Sequence, residues 1–135
     1  MITQMPTFAL VAAIAFSQSA PAKECWALTN LVGHMAASSA DYKFQTDKFS
    51  NPMLLCFEET TGTVSGDDTR FTRFGTSTLA GWAANKGIEL FEVYQIDRTK
   101  NKVLFTKSRI GTNTLIPGAP DIVGAFVGDA VMISK

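Results

Sequence analysis

The chain of 135 residues has one histidine, two cysteines and no excess of either charge, with 12 Lys and Arg against 12 Asp and Glu. Each shortage excludes something. Zero net charge removes the electrostatic footprint of a nucleic-acid binder or of a protein held on an acidic membrane. One imidazole and two thiols fall short of a zinc donor set. No apolar run reaches the ~20 residues of a membrane-spanning helix. After residue 22, no apolar stripe of helical period runs for three turns without Gly or Pro. What is present is ten Phe, two Trp and 46% hydrophobic residues, enough for the packed core of one domain and far from a disordered composition.

Residues 8–16 (FALVAAIAF) form an unbroken apolar run of signal-peptide length. Ala20 and Ala22 stand where a signal peptidase reads small side chains, so cleavage after Ala22 leaves 23–135 as a single mature domain holding every charged side chain. The stretch 1–7 departs from the pattern, having no Lys or Arg. A buried N-terminal helix is the alternative. Ala22-Lys23-Glu24 before Cys25 is not the small, apolar run that lipidation requires. The expected location is secreted or periplasmic, with no membrane anchor once the leader is removed.

Cys25 and Cys56 agree with export. In an oxidising compartment they are expected to form one disulfide, whereas a redox role lacks Cys-x-x-Cys spacing. Closing a loop of about 32 residues contributes roughly 3–4 kcal/mol on the chain-entropy account.

The mature chain reads as short strands with turn chemistry between them. Residues 53–59 (MLLCFEE), 69–74 (TRFTRF) and 76–84 (TSTLAGWAA) are three such runs, the last ended by a hairpin turn at Asn85-Lys86-Gly87. The clearest hairpin is 88–110. There Ile88, Leu90, Tyr94 and Ile96 share a face that Glu92 interrupts, while Phe91 and Val93 break the alternation and imply a covered second face or a bulge. In the return strand Val103 and Phe105 share a face with Lys107 and Arg109. Residues 26–34 read as strand or short helix. Residues 120–127 are equally open, a short helix after Pro120-Asp121 competing with a strand. Six to eight strands at this spacing predict a mainly all-β fold, a small antiparallel β-barrel or sandwich. Closure favours the barrel, since it removes exposed sheet edges.

The sequence shows no catalytic constellation. His34 is the only available base, and Gly75-Thr76-Ser77-Thr78-Leu79 has Leu79 where a nucleophile elbow needs its second Gly. Glu58-Glu59 and Asp67-Asp68 are adjacent pairs, which a strand points to opposite faces. Asp67 and Asp68 read better as turn caps after Gly66, and their stretch is too poor in oxygen ligands for calcium. Arg70 and Arg73 around Phe71, with Lys107 and Arg109, could form a single-stranded nucleic-acid platform, but the charge balance favours a solvated face. No metal and no cofactor is implied.

The strings at 62–71 (GTVSGDDTRF) and 94–98 (YQIDR) resemble small exported bacterial proteins of uncharacterised function. That resemblance brings no activity and no site residue. Two function classes follow. One is a non-enzymatic binding module that takes a small apolar or amphipathic molecule inside or at the mouth of the barrel, with Trp82, Tyr94 and Phe105 as lining residues. The other is a protein-interaction domain, such as an inhibitor of a secreted hydrolase, which would present the loops at 62–68 or 117–121. The expected partner is therefore a small molecule or a secreted protein.

Overall fold

The computed structural model describes residues 23–111 and 117–135; the proposed leader, 1–22, lies outside them. Nine strands follow one another: β1 (Glu24–Ala37), β2 (Phe44–Phe49), β3 (Met53–Phe57), β4 (Thr61–Val64), β5 (Asp67–Phe74), β6 (Thr78–Asn85), β7 (Ile88–Asp97), β8 (Lys102–Ile110) and β9 (Ile122–Ser134). One short 3-10 turn, Ser38–Ala40, joins β1 to β2. Every pairing is antiparallel, and β9 returns to β1, so eight strands close a barrel while β2 stands as a ninth. The expected barrel is therefore observed, and the sandwich is not.

Both segments left open by the sequence are strands. Residues 26–34 belong to β1, which carries a bulge between Thr29 and Val32 where Asn30 adopts φ 56°. The bulge moves the inward set from Trp26 and Leu28 to Leu31, which blurs the period-2 signal. The possible short helix at 120–127 is corrected to the start of β9, along which Gly124, Phe126, Gly128 and Ala130 are buried in strict alternation. Gly128 serves close approach, since a Cβ there would stand 2.7 Å from the Thr29 carbonyl oxygen on β1. No bulge interrupts β7, which pairs with β8 in continuous register from Glu89↔Ile110 to Asp97↔Lys102. Phe91 instead stands on the outer wall, half-exposed.

The two-residue turn between β6 and β7 is Lys86-Gly87, with φ 52° and 86°. Those values are what a tight hairpin demands. The stretch 62–68 is not a protruding loop. It folds as β4 and the start of β5 about a short turn at Ser65-Gly66.

Cys25 and Cys56 are bonded directly across the β1–β3 register. β2 and β3 lie one after the other along the same flank of β1, opposite 31–36 and 24–28, and are broken apart near Pro52.

The two ends of the barrel differ. At one, Arg73 and Arg98 lie over apolar rings, their guanidinium carbons 4.8 and 5.7 Å from the centre of Phe57. Arg98 also covers Trp26 at 5.4 Å and pairs with Glu24. Their N–H groups are spent on the carbonyls of Glu58 and Thr76 and on the Ser77 hydroxyl. Such stacked, hydrogen-bonded arginines plug that end. Beneath them lies the core: Trp26, Leu28, Leu31, Leu55, Phe57, Val64, Leu79, Ile96, Val103 and Ala130. The other end, the mouth, carries the β4–β5 and β6–β7 turns.

Candidate functional site at the barrel mouth

A layer of rings separates the filled core from the mouth. Tyr94 and Phe105 stack with centroids 4.3 Å apart, Phe71 meets Tyr94 edge-on at 5.7 Å, and Phe49 leans on Phe126 at 4.9 Å and on Phe105 at 5.9 Å. The layer arises because inward positions on five strands reach the same height in the barrel. Phe49 is the last residue of β2, so the ninth strand contributes a wall to this end only.

Above the rings a cavity of about 300 Å³ opens between β2, β3, the β4–β5 turn and the β7–β8 hairpin. Tyr94, Phe105, Phe49, Met53 and Leu90 form its apolar surface, and Asp67, Glu92 and Lys107 its polar one. Ser65, Gly66 and Asp68 stand at the rim. Among the described residues Glu92 is the one charged side chain that is fully buried, 2% exposed. It sits directly across the hairpin from Lys107, whose Nζ lies 3.2 Å from Glu92 Oε1. Glu92 Oε2 is buried and has no donor.

The electrostatics follow from that burial. Loss of solvation, together with the carboxylate of Asp67, pushes the Glu92 carboxyl up to about 7 against the pull of Lys107. Burial also acts to raise Asp67, but hydrogen bonds from Glu92 and Thr69 and the charge of Lys107 outweigh it and hold Asp67 below the usual range. The two acids thus share one proton, which resides on Glu92. Burial, with the same two acids, also raises the Tyr94 phenol and keeps it neutral. Asp67 keeps its turn-capping role as well, accepting the Thr69 backbone N–H at 2.9 Å.

Of the three expected lining residues, the structure brings Tyr94 and Phe105 together and places Trp82 elsewhere. Trp82 is 69% exposed on the outer wall, opposite Phe91 across β6–β7. There it borders a wider surface groove of about 460 Å³ with Phe91, Ser108 and Ile110. Parity explains the split: Leu79 and Gly81 face inward on β6, so Trp82 faces out. His34 is exposed, and Ser77 accepts a hydrogen bond from Arg98, so neither belongs to a nucleophile–base pair. Among the described residues no cluster of three or more His, Cys, Asp or Glu side chains could hold a metal ion.

Sequence reasoning missed Glu92, Lys107, Phe49 and Met53 as site residues. The signal for the first two was present: both interrupt the inward face of one hairpin, and with Asp97 paired to Lys102 they fall opposite each other. Opposite charges facing inward across a hairpin mark an interior polar site rather than a weakened pattern.

No known protein family matches the chain, and neither a curated protein nor a solved structure is similar to it. The site's chemistry rests on its own residues.

Proposed function

We propose that the chain is an exported, non-enzymatic binding module whose barrel mouth takes a small amphipathic molecule. The observation that carries this is the mouth cavity itself, an apolar, aromatic floor beside a buried carboxyl, Glu92, whose Oε2 has no donor once it ionises. Its volume of about 300 Å³ stands at the lower end of small-ligand sites, and a few fixed polar groups in an apolar lining are what such sites use to orient a guest. The Cys25–Cys56 bond supports an oxidising destination. Among the described residues no helix is long and apolar enough to cross a membrane.

Ligand-observed NMR with 2-phenylethanol, run on the native protein and on Leu90→Trp, tests the proposal. Saturation transfer to the probe is expected for the native protein and is lost when the larger ring fills the mouth. Transfer that survives in a folded Leu90→Trp protein, or none to the native one, overturns it.

A second reading, a protein-interaction domain, draws support from a different observation. The outer wall exposes Trp82, Phe91, Ile110, Val123 and Val127 on the neighbouring strands β6 to β9, with Phe44 of β2 beyond β1. Contiguous apolar surface of this kind favours an interface. It adds the barrel flank to the loop at 117–121 as a contact region, while 62–68 is folded into a hairpin. Sedimentation of Phe91→Lys beside the native protein checks it. A complex with a secreted protein, or self-association, should be lost in the variant.

A further inference from the structure

We infer that the mouth cavity selects a cationic head group: its ligand is a small amine with an aromatic or alkyl body, the ammonium seated between the carboxylates of Glu92 and Asp67. The inference rests on the binding-module reading and adds the chemistry of the guest.

Three features carry it. The first is the orphaned oxygen. Glu92 is 98% buried and lines the cavity; protonated, it donates to Asp67, and once that proton leaves, its Oε2 has no donor within the protein. A buried acceptor without a donor is destabilising, more so when charged, so a ligand that brings an N–H recovers that loss. The second is the local charge count. Three acids border the cavity, Asp67, Asp68 and Glu92, against the single cation Lys107, which is already engaged with Glu92 Oε1. An anion would meet the acids with no free cation to answer them, whereas an ammonium completes the balance. The third is the apolar floor of Phe49, Tyr94 and Phe105, which receives the aromatic or alkyl body of the amine beside the acids.

Proton balance gives the inference a signature. While Glu92 carries the shared proton, an ammonium binds only as that proton leaves for solvent, and no bond to carbon or nitrogen changes. The remaining charged groups on the surrounding strands do not compete for this role. Asp68 stands on the rim. Asp47 on β2 caps the backbone N–H of Lys48; Arg109 on β8 donates through a terminal nitrogen to the Pro120 carbonyl and, although its buried Nε has no acceptor, it lines the neighbouring groove and not this cavity. Ammonium affinity therefore rises about tenfold per pH unit below about 7 and levels off above it. A neutral guest shows no such rise, and a carboxylate guest shows the reverse.

Titration calorimetry of the native protein with 2-phenylethylamine, 2-phenylethanol and 3-phenylpropanoate, from pH 5.5 to 8.5 in buffers of different ionisation enthalpy, tests this. The amine is expected to bind at least tenfold more tightly than the alcohol at pH 8, with release of up to one proton at pH 6. Glu92→Gln should lose the preference for the amine and keep the alcohol. Asp67→Asn, with the native pH profile, serves if that variant fails to fold. An amine bound no better than the alcohol, or a carboxylate bound best, overturns the inference and leaves the binding module standing. If none of the three binds, both fall.

Discussion

Replacing Glu92 with Gln should make the protein more stable at neutral pH. In the unfolded chain this carboxyl titrates near 4.5, and in the barrel near 7. Below pH 4.5 both states hold the proton and the group has no effect on the balance. As pH climbs towards 7 the unfolded chain releases its proton while the folded one keeps it, so the folded state becomes less favourable by 1.36 kcal/mol per unit. The loss accumulates to about 3 kcal/mol and is complete above about pH 7. Asp67 and Glu24 are held below their usual range, so their stabilisation is present above the unfolded values and fades only in more acidic solution. Gln at 92 imitates the protonated acid in shape and cannot ionise. Urea unfolding at half-unit pH steps, followed by fluorescence of the buried Trp26, gives both curves. The curves should meet near pH 4.5 and separate to about 3 kcal/mol by pH 7.5, with the variant above. Parallel curves, or a variant that is less stable at pH 7.5, would refute the claim that this carboxyl is buried under strain.

The other predictions probe the pair, the wall and the core. Lys107→Met removes the cation paired with the buried Glu92 and close to the partly buried Asp67, and denaturant unfolding at pH 8 should register a loss of about 3–5 kcal/mol, smaller at pH 5 where Glu92 is neutral. Cys25→Ala with Cys56→Ala, 31 positions apart, should lower stability by about 3–4 kcal/mol, measured the same way under oxidising conditions. Phe57→Ala, beneath the two arginines and 1% exposed, should cost about 3–5 kcal/mol in the same experiment. Trp82→Ala should change stability by only about 0.2–1 kcal/mol, the value of a cross-strand aromatic pair, and leave binding of 2-phenylethanol unaltered in calorimetry.

The fold was legible where period-2 alternation and turn chemistry agreed. The β7–β8 hairpin and the Asn85–Gly87 turn were readable because each strand buries one face and the turn needs positive φ. The barrel's closure followed from the edge argument, and β9 pairs along most of β1 to satisfy it. What could not be read has physical causes. The bulge at Asn30 shifts the inward set by one residue, so β1 resembles neither strand nor helix for its full length. β9 carries glycines at inward positions, Gly124 and Gly128, which hide its alternation in any hydrophobicity pattern although the Phe126 ring crowds the first and the Thr29 backbone the second. β4 is only four residues long and rich in Thr and Gly, so it passes for a loop.

The site was half legible. Tyr94 and Phe105, like Trp82, stood out as aromatics on strand runs with small or polar neighbours, Trp82 for its small ones. Small neighbours on a strand, however, mark a crowded inner face as readily as an open one: Gly81 is small because Thr69 and Phe71 press on it. Parity, not neighbour size, decides which way Trp82 points. The polar half was hidden because charges on an inward face look like noise until register is known. Register also sets Asp67, a turn cap by sequence, against a hairpin two strands away.

The central claim is that ligands enter the barrel mouth above the aromatic layer and are held at Glu92. Chemical-shift mapping of the isotope-labelled protein during titration with 2-phenylethylamine at pH 8 tests it most directly. The largest shifts should fall on Phe49, Glu92, Tyr94, Phe105 and Lys107, with the outer wall silent. Shifts centred on Trp82, Phe91 and Ile110, or no shifts at all, would contradict it.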